Sequence, residues 1–311
     1  MTHADYEFHQ LDDSRFEDVQ FIFREVFNKH YSLSYLKAKY DTSWTGVKHL
    51  CFLAYANNQP AAFYGAIPQL FTYKGERFLA AHTCDSFTMP AHQRKGLHKQ
   101  LALRTYEVMK AAGVRFVYAY HSENTYHSCK KLDWKEHVHI RRFFIPTGMP
   151  PWGKVMRRLP LLRTLHAKLA KRLLQKLAVP AAAWQPSPSN KAVMQVDYQP
   201  SFFDYKSFTP NAIVNLAGAR FWIKAEGVIV VGAVQFDDEA QLEQGLSALK
   251  GLARKLGLSR ILFQTAPGFP LNQWLEQQYE GYESWLVGYL NFEEDIPLAD
   301  WEMRYGDLDT F

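Results

Sequence analysis

The segment from Asp85 to His98 constrains the fold of this 311-residue chain more than any other part of it. An apolar, strand-like run ends at Met89, a short loop containing Gly96 follows, and a helix begins at Leu97. The backbone N–H groups of such a loop and of the first helical turn have no partners within the helix, and they lie at the positive end of its dipole. This geometry binds phosphate or pyrophosphate, and glycine lets the anion approach the backbone closely. Further positive charge comes from Arg94, Lys95 and Lys99.

Strands and helices alternate after this loop. We predict a helix over Leu97–Ala112 that ends at Gly113, a strand over Val114–His121, a helix over Asn124–Leu132 and a strand over His137–Ile145. The pattern predicts an α/β fold with a mixed sheet for residues 1–147.

The same order of elements returns near the C-terminus. Strand-like residues Val228–Gln235 precede a helix over Asp237–Leu256, a strand over Arg260–Thr265, a helix over Leu271–Tyr279 and a strand over Ser284–Phe292. We therefore expect a second α/β domain over residues 197–311, built as a repeat of the first. Three acidic residues open its long helix, and they would repel a pyrophosphate.

The charged residues are distributed unevenly along the chain. There are 36 basic and 31 acidic residues, yet residues 137–196 contain 11 Lys and Arg and no Asp or Glu. The remainder is mildly acidic, which argues against a protein that binds nucleic acid through a folded basic face. Residues 148–196 are predicted to form a basic, amphipathic helical connector followed by a linker rich in Pro, Ala and Ser.

The basic stretch 152–178 allows three interpretations. Its apolar stripe consists of Leu162, Leu165, Leu169, Leu173 and Leu177. The leucines can pack on the two domains and leave the charges in water. The helix can instead lie on a membrane surface, or its cations can receive a polyanion such as tRNA.

Two short motifs resemble those of the GCN5-related N-acetyltransferase (GNAT) superfamily. Residues 93–98 read QRKGLH, which is similar to the family's Arg/Gln-x-x-Gly-x-Gly/Ala loop, with His98 in place of the second small residue. Residues 124–134 read NTYHSCKKLDW, which is similar to the family's Asn…Tyr-x-Lys-Leu-Gly-Phe segment, shortened by about two residues. The resemblance covers roughly residues 5–147 and implies a GNAT fold there. The whole layout resembles tandem transferases of the mycothiol-synthase and Fem types, which implies a degenerate GNAT-like domain at the C-terminus.

The resemblance also implies a donor substrate and the residues that bind it. The donor would be acetyl-CoA or another acyl-CoA, from which an amine or hydroxyl of a small-molecule or sugar acceptor would take the acyl group directly. The pantetheine arm would run along the strand at Phe87, Thr88 and Met89, and Asn124 would lie near its cysteamine end. The pyrophosphate would be held by the loop and first helical turn, that is, by Gln93, Arg94, Lys95, Gly96, Leu97, His98 and Lys99.

Three residues are candidates for acid–base catalysis. His82 lies where some members of the superfamily carry a glutamate base, and its ordinary pKa suits a base near neutral pH; the alternative is a structural histidine. Asp85 is charged within an apolar strand, so it is either a base or a cap of a neighbouring helix, and strict strand alternation places it on the opposite face from His82. The family's acidic tyrosine would fall near Cys129, so Tyr126 is the nearest phenol, unless it is a core aromatic.

Other features of the sequence bear on the compartment in which the protein acts and on its possible functions. Three separated cysteines suit a reducing compartment, and the first residues lack a secretory pattern, so we expect a cytoplasmic protein that can associate peripherally with a membrane. His137 and His139 share a strand face but lack further ligands nearby, and no metal site is predicted. The functional alternatives are a Fem-like transferase that uses aminoacyl-tRNA and a non-catalytic module that binds CoA.

Overall fold

The structure of the chain is a computed structural model. It describes residues 5–121, 123–150, 160–184, 193–293 and 296–311, with backbone only for residues 123–124 and 160–163. These residues form two compact units: residues 1–137 with 287–299, and residues 138–286 with 300–311. The units divide the chain differently from the predicted domains 1–147, 148–196 and 197–311, because two strands begin in one unit and end in the other. The domain assignment itself stays a prediction.

Among the described residues, the first unit contains five complete strands, the end of a sixth and the start of a strand that is described with the second unit. The first six are β1 (Tyr6–Gln10), β2 (Phe52–Ala56), β3 (Gln59–Tyr73), β4 (Glu76–Thr88), β5 (Val114–His121) and the last residues of β12 (Gly281–Asn291). They lie in the order β1-β2-β3-β4-β5-β12. Neighbours from β1 to β4 are antiparallel, whereas β4 and β5 are parallel, as a helical crossover between them requires.

Four helices cover this sheet. They are α1 (Phe16–Phe27), α2 (Leu33–Tyr40), α3 (Leu97–Ala111) and α4 (Glu123–Lys130). Strand alternation divides them between the two faces. On one face Phe63 of β3 contacts the ring of Tyr40 on α2. On the other, Tyr64 lies against Tyr106 of α3, with their hydroxyl oxygens 3.2 Å apart.

The second unit repeats the element order of the first. Its elements are β6 (Lys135–Pro146, which starts in the first unit), α5 (Pro160–Leu177), β7 (Gln195–Val196), α6 (Pro200–Lys206), β8 (Ala212–Leu216), β9 (Ala219–Ala225), β10 (Ile229–Gln235), α7 (Glu239–Lys255), β11 (Arg260–Thr265), α8 (Pro270–Gln278) and the start of β12. The sheet order is β12-β6-β11-β10-β9-β8, and β10 and β11 are parallel. Both units are therefore α/β with mixed sheets, as predicted.

The predicted basic connector is described only in part. The helix α5 begins at Pro160, a residue that suits the first turn of a helix. Residues 151–159 and 185–192 of the predicted connector and linker lie outside the described residues. Within the described part of the chain, no helix is both long enough and apolar enough to cross a bilayer.

Candidate functional site

The two parallel strands of the first unit separate part of the way along their length. Their pairing runs from Leu79–Val114 to His82–Tyr118. Beyond that point β4 continues to Thr88 along β3, and β5 continues to His121. The strand pair thus opens into a V in front of α3, and the backbone along this edge can pair with an extended ligand.

A β-bulge lies on the β4 side of this V. The register with β3 passes from Gly65–Cys84 to Phe63–Phe87, so β4 carries one residue more than β3 between these pairs. Asp85 takes the left-handed conformation there, with φ of +48°. Gly65 allows the bulge, because a Cβ atom on it would lie 2.5 Å from the carbonyl oxygen of Cys84.

The glycine loop closes the V at the start of α3. Gly96 has φ of +76°, and no atom lies within 4 Å of the position that its Cβ would take. The first hydrogen bond of the helix runs from Gln100 N to Gly96 O, at 3.2 Å, so the N–H groups of residues 97–99 have no acceptor within the helix. Exposed side chains surround this spot: Gln93, Arg94, Lys95 and Lys99. The loop therefore offers amides, cations and open space to an anion.

The remaining residues predicted to bind the donor fall into three environments. Thr88 and Met89 are half-buried at the end of β4, and Gln93 Nε2 donates to the carbonyl of Thr88 at 3.3 Å. Phe87 and Leu97 are buried in the core, so only their backbones face the V. His98 packs its ring 5.4 Å from that of Tyr64, and burial lowers its pKa. Asn124 lies in α4, and its side chain is outside the described residues.

His82 lies at the point where the V begins. Its ring is buried and stacks on Tyr118, with centroids 5.0 Å apart. Nδ1 lies 3.4 Å from the backbone carbonyl of Tyr118, which can only accept, and the Tyr118 hydroxyl donates in turn to Gln69 Oε1. This arrangement favours the tautomer with hydrogen on Nδ1, which leaves Nε2 as the basic atom.

Asp85 is held by α2. Its carboxylate forms an ion pair with Lys39 and accepts a hydrogen bond from Tyr40 OH at 2.7 Å. Both partners are almost fully buried, and burial, followed by the charge of Asp85, raises the pKa of Tyr40 well above its ordinary value. The expected opposite orientation to His82 is wrong: Tyr40 packs on Phe63, and the bulge turns Asp85 to that same face of the sheet.

Tyr126 is buried beside the end of β5. Its ring lies 5.4 Å from that of His121, and the Nζ atom of Lys130 lies 5.5 Å from the ring centroid. Burial and the nearby Glu136 raise its pKa, so the phenol remains protonated at neutral pH. Cys129 is also buried, and desolvation raises the pKa of its thiol to about 12.

His121 is a polar residue of this region that the sequence analysis did not select. It is 4% exposed, and its Nε2 has no hydrogen-bond partner among the described residues. Burial, followed by the charges of His82 and His98, lowers its pKa to about 4. Gly288 makes room for the ring, since a Cβ there would lie 2.7 Å from Nε2. One sequence feature could have identified His121: it is an imidazole at the end of an apolar strand, three residues before Asn124.

The second unit has a comparable V with different contents. Pairing between β10 and β11 is confined to Ile229–Ile261 and Val230–Leu262, and a bulge follows between Val231 and Ala233. The C-terminal segment enters here: Thr265 forms a β-bridge with Arg304, and Phe311 occupies the place that a Cβ on Gly232 would need, at 2.4 Å. A cavity of about 270 Å³ remains beside it.

Comparison with known proteins agrees with this architecture. Residues 7–136 match the family model described as an acetyltransferase (GNAT) domain, and no curated protein matches the chain.

A GCN5-related N-acetyltransferase from Kribbella flavida is 10% identical, with a TM-score of 0.59, over 92% of this chain and 71% of the other. A probable N-acyltransferase from Enterococcus faecalis V583 is 11% identical, with a TM-score of 0.62, over 93% and 73%. A putative acetyltransferase from Pyrococcus horikoshii is 15% identical, with a TM-score of 0.51, over 98% and 95%. At these identities the likeness shows the fold, and it extends over both units.

Proposed function

We propose that the chain, whose residues 7–136 match a GNAT acetyltransferase domain, transfers an acyl group from acyl-CoA to a small acceptor. The acceptor group is an amine or a hydroxyl, such as that of an amino sugar, and the acyl group is acetyl or a longer homologue. The observation that carries the proposal is the V between β4 and β5 that ends at the open, cationic loop around Gly96.

The chemistry of this V suits CoA. An extended pantetheine arm carries amide groups that can pair with the backbone of β4 at Phe87, Thr88 and Met89. The loop amides and the positive charges of Arg94 and Lys95 suit a pyrophosphate, because they can bind its negatively charged oxygens. Asn124, at the start of α4, would lie near the thioester end. The donor supplies an activated acyl group, and the chain must hold it close to the acceptor.

His82 is the proposed general base. Its Nδ1–H is fixed on the carbonyl of Tyr118, and Nε2 is the atom that would take the proton of the attacking amine or hydroxyl. Tyr118 and Gln69 extend this buried polar arrangement and hold the ring in place. Asp85 is engaged by Lys39 and Tyr40, which favours a role in fixing the bulge rather than in taking a proton.

Tyr126 is the proposed donor of a proton to the departing thiolate. Its raised pKa keeps the phenol protonated, and its ring lies against His121 at the end of β5. His121 is neutral at physiological pH because its pKa is about 4, so it adds no positive charge to this part of the site.

The experiment compares three ligands of the whole chain by calorimetry: CoA, acetyl-CoA and pantetheine, which lacks the pyrophosphate. We expect CoA and acetyl-CoA to bind similarly. Pantetheine should bind at least about tenfold more weakly, because a hydrogen bond to a charged group contributes about 1.5–3 kcal/mol. Equal affinity for CoA and pantetheine would show that the loop does not hold the pyrophosphate.

Turnover is then measured as release of free thiol from acetyl-CoA with a panel of amines, amino sugars and alcohols. Acceptor-dependent release supports the transferase. Binding of CoA without release across the panel would instead identify a non-catalytic module. Saturable, salt-sensitive binding of tRNA without binding of CoA would favour a Fem-like transferase.

A further inference from the structure

The helix α5 has two faces of different character. On the inner face Ala170 and Leu174 are buried in the core of the second unit, and His166 Nε2 lies 2.8 Å from the carbonyl oxygen of Leu256. On the outer face Leu165 is 56% exposed and Leu169 is 54% exposed. Leu174 follows Leu165 by nine residues, which corresponds to a half-turn about the helix axis, so Leu165 points directly away from Leu174, and Leu169 lies about 140° from Leu174.

The apolar stripe predicted from the sequence does not serve as a core contact. Leu173 is its one described member that packs against the core, whereas Leu165, Leu169 and Leu177 are exposed. A small residue, Ala170, lets the helix approach the second unit closely on another face. A simple linker helix that buries its leucines therefore does not account for this surface.

The outer face is also strongly basic. Lys168, Arg172 and Lys176 are exposed and lie within about 60° of Leu165 around the helix axis. No acidic residue occurs between residues 137 and 196 of the sequence. The face thus combines two protruding leucines with three cations, and we refer to these five residues as the α5 face.

This combination discriminates between classes of partner. A nucleic acid would satisfy the cations but leave the leucines in water. An apolar protein groove would bury the leucines but desolvate the cations. A bilayer with anionic lipids accepts both, because leucines enter the boundary between headgroups and acyl chains while Lys and Arg side chains extend to the phosphates.

We propose that the α5 face binds the surface of a membrane that contains anionic phospholipids. Binding brings the first unit to acceptors or acyl donors located at that surface. The proposal goes beyond the acyl-transfer function and does not depend on it, since binding to lipid can be measured without turnover.

The experiment is co-sedimentation of the full chain with vesicles of phosphatidylcholine alone, or of equal parts phosphatidylcholine and phosphatidylserine. We expect binding to the mixed vesicles that weakens as salt is added, and little binding to phosphatidylcholine alone. K168Q/R172Q/K176Q should weaken binding on the order of a hundredfold, because each cation near an anionic surface contributes about fivefold. L165Q/L169Q should weaken it at least about tenfold, because it removes the apolar insertion.

Two matched controls test the location of the surface. L103Q removes a leucine of α3 that is 44% exposed, and K171Q removes an exposed lysine of α5 that lies off the α5 face. Both should bind mixed vesicles nearly as the parent chain does. Circular dichroism and melting temperature establish that every variant is folded.

Three results would overturn the proposal. The first is equal vesicle binding by the parent and L165Q/L169Q, which would leave only a diffuse charge effect. The second is self-association of the parent that L165Q/L169Q abolishes, which would make the face a contact between copies of the chain. The third is absence of binding to mixed vesicles at low salt.

Discussion

Replacement of Gly96 by alanine separates the conformational role of this glycine from its role in binding the donor. Gly96 has φ of +76°, and the space in front of it is open. An alanine in this left-handed conformation costs about 1–2 kcal/mol, whatever the surroundings. For a chain of 311 residues that loss lowers the melting temperature by roughly 1.5–3 °C. The new methyl group would also occupy the space through which a pyrophosphate approaches the loop amides.

The expected effect on binding is larger than the effect on stability. Loss of one hydrogen bond to a charged group, about 1.5–3 kcal/mol, raises the dissociation constant of CoA roughly 10- to 150-fold. At a CoA concentration of 100 times the parent Kd, the ligand stabilises the parent by about 2.7 kcal/mol. A variant that binds about 100-fold more weakly gains only about 0.4 kcal/mol at that concentration. The shift of the melting temperature by CoA should therefore almost disappear.

Gly113 provides the matched control at the other end of the same helix. It has φ of +78°, and no atom lies within 4 Å of its Cβ position. G113A should lose the same stability as G96A but keep the full CoA shift in differential scanning fluorimetry. A normal CoA shift in G96A would refute the assignment of the loop, and an equal loss in both variants would show that strain alone accounts for the effect.

Three further predictions concern the histidines and the number of donor sites. H82Q should lower the rate of thiol release roughly 10²–10⁴-fold while the CoA shift is retained; a parallel loss of both would indicate a structural histidine. His121 has a pKa of about 4 in the folded chain and about 6.5 when unfolded, so below pH 6.5 the unfolded chain binds a proton that the folded chain does not. Stability should therefore fall by about 3 kcal/mol between pH 6.5 and pH 4, and urea titrations of H121Q should lack this part of the slope; identical pH profiles would contradict it. Calorimetry should give one CoA per chain, and two equivalent sites would contradict the assignment of the second unit as degenerate.

The loop and helix at residues 93–111 could be predicted because the signals are local. Three signals lie within a few residues of one another: a glycine before the helix, cations beside that glycine, and the apolar periodicity of the helix itself. The structure places Gly96 directly before Leu97 in the left-handed conformation that such a loop requires. The alternating order of the elements in both units was likewise predictable, because hydrophobic period and turn residues determine it.

The orientation of Asp85 could not be predicted in this way. Strand alternation assumes an unbroken ladder, and one extra residue reverses the side on which every later side chain lies. The bulge depends on a close approach to Gly65, which is 20 positions away in the chain. Likewise, His121 is notable only because Tyr126, Trp134 and Gly288 enclose it, and these contacts come from three separate segments of the chain.

The two units show how one architecture can carry opposite chemistry at corresponding places. Where the first unit has Arg94, Lys95 and an open glycine, the second has an acidic turn whose Asp238 accepts a hydrogen bond from the N–H of Gln241 at 2.8 Å. Such a cap stabilises a helix by about 1 kcal/mol, but it uses an amide that an anion would need and adds negative charge beside it. Phe311 then covers Gly232 in the adjacent V. Substituting Asp238 alone should therefore not create a CoA site, because the charge at the helix and the aromatic ring in the V oppose the ligand independently.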